Sequence, residues 1–222
     1  MENYYNNINL DLYKEIPLGL GRVLELGCGA GALGAKYKSE NPGSYWCGIE
    51  IIKEQATAAN KEIDRVICCD IEAIFPNFEE APFDALVIGD VLEHLKDPWL
   101  TLQKLIELIK PNGQVAICIP NVGHWSVVAN LLAGNFTYSD SGILDRTHLR
   151  FFTGKSMIDL LSQANIEIIK ILPRRIIFND DQFLKFCESM KLFCATFQVE
   201  YEHVKDRSSV LQYIFIGNKK SN

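Results

Sequence analysis

The sequence predicts an α/β fold, an open and mostly parallel sheet with helices on both faces. Three observations predict it. Short, β-branched apolar runs alternate with helical patterns from residue 22 to 119. The strand-like runs are apolar almost throughout, as strands covered on both faces are. A glycine-rich loop follows the first of them, where sheets of this kind bind ligands at their carboxyl edge.

Taken in order, Val23–Leu26, Tyr45–Ile51, Val66–Cys69, Ala85–Ile88 and Val115–Ile119 read as strands bounded by turn residues. Ala32–Ser39, Lys53–Ile63 and Pro98–Lys110 read as the helices between them. The last carries Leu102, Leu105, Ile106 and Ile109 as one apolar stripe. Asp97 and Pro98 supply its N-cap and first turn, and Pro111-Asn112-Gly113 stops it. After Pro120 the rhythm breaks into an insertion over 120–152, with a short helix at 125–133. Insertions of this length at strand ends are usually functional or disordered. Trp125, Phe136, Tyr138, Phe151 and Phe152 argue for order here.

A helix from Thr153 puts Met157, Leu160, Leu161 and Ala164 on one face. Ile166–Leu172 and Val210–Ile216 close the sheet. Between them Phe183, Phe186, Cys187, Met190, Cys194 and Phe197 recur at helical spacing, as core or as a dimer surface. Without repeats, linkers or low-complexity tracts, residues 1–222 read as one domain with an N-terminal segment (1–20) and insertions at 120–152 and 173–205.

With 48% hydrophobic residues, a chain of 222 can bury a full core. The net charge of −6, with no Lys/Arg stripe, speaks against a nucleic-acid partner. The N-terminus shows no secretory signal, and no segment approaches the ~18 apolar residues of a membrane span. Seven cysteines without a CxxC pair read as reduced thiols of a cytoplasmic protein. Cys187 and Cys194 lack companions for zinc, so no metal site is expected.

The informative run is Val23-Leu24-Glu25-Leu26-Gly27-Cys28-Gly29-Ala30-Gly31. Glycines let the backbone turn tightly and approach a ligand, at a helix N-terminus that favours negative charge. Gly29 to Gly34 also spells GxGxxG, which alone leaves a nicotinamide-dependent oxidoreductase open. Two acids add to the loop. Glu50 ends the second strand, where a carboxylate can accept from a ribose diol, and Asp70 ends the third, where it can accept from an adenine amine.

ELGCGAGALG, GIE, CCD, FDALVIGDVLEHL and LIKPNGQVAICIPN, in this order over roughly residues 20–165, resemble the class I S-adenosylmethionine-dependent methyltransferases. The resemblance implies a Rossmann-like seven-stranded sheet, mostly parallel with an antiparallel last strand. It implies S-adenosyl-L-methionine as cofactor and S-adenosyl-L-homocysteine as product. Glu25, Gly27, Gly29 and Gly31, with Cys28 in the same loop, would hold the methionine part. Glu50 with Ile51 would hold the ribose side, Asp70 and Ile71 would flank the adenine, and Asp90 and Val91 would sit beside the transferring methyl. Tyr4, Tyr5 and Tyr13 precede the first strand, in a segment that in related enzymes folds over the cofactor and otherwise packs on the sheet.

The fourth strand ends in GDVLEHL rather than an Asn/Asp-Pro-Pro-aromatic loop, and the fifth in CIPN rather than Pro-Cys. Enzymes of base amino groups and of cytosine C5 are thereby disfavoured, and the double-glutamate hairpin of protein-arginine enzymes does not appear, which leaves a small-molecule or carbohydrate acceptor. Residues 119–153 are similar to the methionine-biosynthesis protein W family and its sugar and natural-product relatives. That resemblance implies O-methylation of a sugar or natural-product hydroxyl. An N-acceptor, a non-catalytic partner protein of the same fold, and assembly with a second copy or a partner enzyme stay open. His148 is the candidate base or else a structural hydrogen bonder, with Asp90 and His124 the other catalytic candidates. Trp125, Arg146, His148 and Arg150 are the candidate substrate contacts. His94 reads as a hydrogen bonder at a helix start.

Overall fold

The computed structural model describes residues 8–175 and 180–221. Seven strands form one sheet in the order β3-β2-β1-β4-β5-β7-β6. They are β1 (Arg22–Leu26), β2 (Tyr45–Glu50), β3 (Arg65–Cys68), β4 (Phe83–Gly89), β5 (Ile109–Pro120), β6 (Ile166–Arg174) and β7 (Gln212–Lys219). The strand β7 runs antiparallel to both neighbours, and the pairs among β1 to β5 are parallel. The order reverses on either side of β1, and the loops after β1 and β4 open side by side at the carboxyl edge. In open α/β sheets that crevice is where ligands bind.

The helices are α1 (Leu10–Tyr13), α2 (Ala32–Glu40), α3 (Lys53–Ala59), α4 (Pro98–Glu107), α5 (Trp125–Leu132), α6 (Gly154–Gln163), α7 (Asp180–Phe197) and α8 (Tyr201–Ser208). A 3₁₀ turn at Leu92–His94 follows β4. Alternation along β1 divides the core. Leu24 and Leu26 face Leu102 and Leu105 of α4 and Met157 and Leu160 of α6. Val23 faces the other way, toward Leu12 of α1 and Leu33 and Tyr37 of α2, with Trp46 of β2 beside them. Asp97 caps α4 by accepting from the Leu100 N–H at 3.0 Å, and Thr153 and Ser156 close a capping box at the start of α6.

Four boundaries depart from expectation. The helix α4 stops at Glu107, and Ile109 opens β5 instead of ending the apolar stripe. The Pro111-Asn112-Gly113 turn lies inside β5, with Asn112 at φ 60° and the β4–β5 register shifting opposite it. The helix α3 ends at Ala59, and β7 begins at Gln212. Helix α8 was not foreseen, because its sequence is polar on nearly every face.

Tyr4 and Tyr5 lie outside the described residues. The part of the N-terminal segment that is described packs on the sheet: Leu12 and Ile16 are buried, and the Tyr13 hydroxyl donates to Glu40 at 2.7 Å. Among the described residues no helix is long and apolar enough to cross a membrane.

Candidate functional site

The loop after β1 is shaped by three left-handed glycines, Gly27, Gly29 and Gly31, at φ 73°, 53° and 83°. The Gly27 and Cys28 amides both donate to the Ile49 carbonyl, at 2.8 and 3.2 Å, which ties the loop to the end of β2. A Cβ on Gly27 would lie 2.3 Å from Val91 Cγ2, and one on Gly31 would lie 3.1 Å from Ala59 Cα. The loop is thus clamped between the end of β4 and α3, and only glycine fits either position. Cys28 contributes its backbone alone. Its thiol turns down into the core, where a Cβ on Gly48 would meet the sulfur at 2.5 Å.

Glu50 closes β2 with its carboxylate buried, accepting from the Gly29 N–H at 2.9 Å and the Ile52 N–H at 2.8 Å. Each oxygen therefore has one backbone partner and retains acceptor capacity. Ile51 beside it is exposed, an apolar surface at the carboxyl edge. Asp70 stands beyond β3 and accepts from the Glu72 N–H at 2.9 Å through Oδ1, and Ile71 is buried next to it. Glu25 lies beneath the loop, where Oε2 accepts from the Trp46 indole N–H at 2.7 Å. Burial pushes the Glu25 carboxyl up to about 7; the indole N–H opposes this and the Glu50 charge adds to it.

Asp90 follows β4 in a left-handed conformation, φ 53°, and accepts from Gln212 Nε2 at 2.7 Å. Gln212 in turn accepts from Arg174, whose Nε donates to Asp11 of α1 at 3.0 Å. This chain from the N-terminal segment to Asp90 has no signature in the sequence. Burial raises the Asp90 carboxyl, and the Arg174 charge pulls against it.

The insertion docks on the turn after β4. The Leu149 and Arg150 amides both donate to the Glu93 carbonyl, at 2.8 and 2.9 Å. His148 is buried; its Nδ1 lies 2.9 Å from the Ile143 carbonyl and its Nε2 3.9 Å from Glu93 Oε1. Its ring meets His94 edge-on, with centroids 4.7 Å apart. Glu93, which sequence reasoning passed over, is 2% exposed. Burial and then the Asp90 charge push its carboxyl well above the usual range.

The other expected contacts are directed elsewhere. Trp125 packs toward Phe183 and Phe186 of α7, at 6.3 and 6.4 Å between centroids, so its ring serves to dock that helix. His124 caps α5, with Nδ1 2.8 Å from the Ser126 hydroxyl. Arg146 pairs with Asp140 at 2.7 Å on the exposed surface, and the Arg150 guanidinium donates to the Lys96 carbonyl. None of these four converges with Asp90. Phe152 is buried against the sheet core and fixes the end of the insertion there.

These residues fit an adenosylated sulfonium amino acid: a glycine loop clear of Cβ atoms, a buried carboxylate with acceptor capacity for a diol, and a further acid one strand out. Residues 6–171 match the protein family described as Methyltransferase domain. The chain belongs to that family, the S-adenosylmethionine-dependent methyltransferases.

This methyltransferase is similar to the ubiquinone biosynthesis O-methyltransferase of Xylella fastidiosa (strain 9a5c), 31% identical over 151 residues, or 61% of each chain. The tRNA 5-carboxymethoxyuridine methyltransferase of Escherichia coli (strain K12) is 29% identical over 128 residues, 55% of this chain and 48% of that protein. The match thus spans about three fifths or less of these relatives' length. Two solved structures share the fold. The methyltransferase from Archaeoglobus fulgidus has a TM-score of 0.62 at 19% identity, covering 95% of this chain and 91% of that one. The [4+2]-cyclase SpnF has a TM-score of 0.61 at 16% identity, covering 96% and 80%.

Proposed function

We propose that the chain transfers a methyl group from S-adenosylmethionine to an oxygen of a small molecule, a sugar or natural-product hydroxyl. The observation that carries the cofactor half is Glu50, whose buried carboxylate holds the Gly29 amide at the mouth of the glycine loop. An O-methyltransferase among the relatives supports oxygen as the acceptor atom. Within the insertion, a cleft of about 320 Å³ between α5 and residues 135–144 is of a size for a small ligand. Its walls include Ser126, Asn130, Thr137 and Ser139 beside Val127 and Ile143, polar groups suited to a hydroxylated ligand.

The bound cofactor supplies a methyl on a sulfonium sulfur, whose positive charge vanishes as the new bond forms. The chain's own part is alignment. The glycine loop, Glu50 and Asp70 fix one partner, and the docked insertion covers the end of β4 where the acceptor must lie. Proximity and alignment of that kind can supply about 7–11 kcal/mol of the barrier. The hydroxyl proton must leave, and buried Glu93 and His148, with half-buried His94, lie beside Asp90 to govern that loss.

Calorimetry with S-adenosylmethionine and S-adenosylhomocysteine should show one site for each. Absence of binding by either at sub-millimolar concentration would sink the cofactor half. Mass spectrometry of small-molecule extracts incubated with enzyme and deuteromethyl cofactor should reveal a labelled product. Label found only in transfer RNA would replace the acceptor assignment.

A further inference from the structure

We propose that Glu93, His94 and His148 bind one divalent transition-metal ion on the acceptor side of the sheet. One ligand atom from each residue lies within 4.8 Å of the other two, and Glu93 and His148 are buried. The residues come from two separate elements, the turn after β4 and the insertion, which the Glu93 carbonyl holds together through two backbone bonds.

The Glu93 carboxylate points to what is bound. Its Oε2 is sealed from solvent without a hydrogen-bond partner. Its Oε1 faces His148 Nε2 at 3.9 Å, too far for a hydrogen bond. A carboxylate buried in that way is costly unless a cation or donors satisfy it.

The rings are prepared to ligate. The Nδ1–H of His148 donates to the Ile143 carbonyl at 2.9 Å, which leaves the lone pair on Nε2, the nitrogen facing Glu93. His94 places Nδ1 3.1 Å from the Thr147 hydroxyl oxygen and 3.3 Å from the Thr147 carbonyl, and that hydroxyl donates to Asp145 at 2.7 Å. A ring N–H given to a backbone carbonyl is the outer support that metal-bound histidines use.

Two imidazoles and one carboxylate suit Zn²⁺, Mn²⁺, Fe²⁺ or Co²⁺ better than Mg²⁺ or Ca²⁺, which prefer all-oxygen sites. With bonds of about 2.1 Å, tetrahedral ligand atoms stand about 3.4 Å apart, so the Glu93–His148 pair closes by only about half an ångström. Three protein ligands leave open positions for an acceptor oxygen. Its role in transfer, which rests on the function proposed above, is to lower the pKa of an acceptor hydroxyl. His148 is then a ligand and not the general base.

The test is titration of chelator-dialysed full-length protein with Co²⁺, read by calorimetry and by visible absorption, with Zn²⁺ competing. One equivalent should bind, with the intense visible bands of a site of low symmetry. Half-exposed His94 tolerates change best, so His94→Gln and Glu93→Gln should each weaken Co²⁺ by at least the ~10–100-fold that loss of an outer partner alone produces. His203→Gln, an exposed position, should leave binding unchanged. Circular dichroism and S-adenosylmethionine affinity in the same preparations confirm that each variant is folded. No Co²⁺ or Zn²⁺ binding by wild type, or equal binding by the His94→Gln and Glu93→Gln proteins, overturns the site. If cofactor binds and metal does not, this inference fails alone. If metal binds and cofactor does not, the functional reading fails instead.

Discussion

Gly27 and Val91 interlock the two loops that meet at the carboxyl edge: a Cβ on the glycine would stand 2.3 Å from Val91 Cγ2. Gly27 is also left-handed, at φ 73°. Gly27→Ala therefore carries two separable costs. The backbone strain is worth ~1–2 kcal/mol and the overlap ~1–3 kcal/mol. Urea denaturation should show a loss of ~2–5 kcal/mol for Gly27→Ala, of which Val91→Ala in the same chain restores the overlap part. Additive effects of the two substitutions would deny the interlock.

Glu25 sets a pH dependence of stability. Burial holds its carboxyl at about 7 in the folded chain, against 4.5 as the ordinary value. Between those two values the folded state binds more protons than the unfolded one. Stability from this group is full below the lower value, falls as pH rises through the window, and is flat above it. Glu25→Gln keeps an oxygen for the Trp46 indole and removes the titration. The difference between wild type and Glu25→Gln should shift by on the order of 2–3 kcal/mol from pH 4.5 to 8, wild type losing ground. Parallel stability profiles would contradict the assignment.

The glycine loop and the strand-end acids were legible because each is a local pattern placed by the strand it follows. Boundaries failed where one residue satisfied two patterns. Ile109 completes the α4 stripe and also begins an apolar strand, and burial in the sheet decides. Glu93 and His148 were not legible as a pair. Contacts between distant segments, the Glu93 carbonyl with two insertion amides and His94 with Thr147 among them, bring them together, and an irregular insertion has no period that predicts such docking. Chain proximity also misplaced Trp125, because the apolar face of α7 is a partner that no local motif announces.

Asn121 joins the start of the insertion to the segment before β7. Its amide donates to the Val210 carbonyl at 2.8 Å and the Arg207 carbonyl at 3.2 Å, and its oxygen accepts from the Gly123 N–H at 3.0 Å. The side chain is 2% exposed, so truncation strands buried backbone groups. Asn121→Ala should lose ~1–3 kcal/mol in denaturation. Amide exchange over residues 121–152 should accelerate more than exchange in β1 and β4. Uniform acceleration would mean that Asn121 supports the whole fold and not this joint.

Glu50 offers the sharpest separation of loop geometry from fold stability. Its two oxygens accept one backbone N–H each, from Gly29 and from Ile52, so the glycine loop after β1 and the turn after β2 both depend on one carboxylate. Gln at this position can accept on one side only and presents an amide donor to the other N–H. Ala accepts on neither. Hydrogen bonds to a charged group are worth ~1.5–3 kcal/mol each, so Glu50→Gln should raise the Kd for S-adenosylmethionine by about 10–100-fold, and Glu50→Ala by more. Glu202→Ala, on the exposed face of α8, is the control and should change nothing. Calorimetry checks the order wild type, Gln, Ala; thermal melting guards against unfolding. Equal affinity in wild type and Glu50→Ala would remove the carboxylate from the cofactor site, and a Gln variant as tight as wild type would show that its negative charge is not used there.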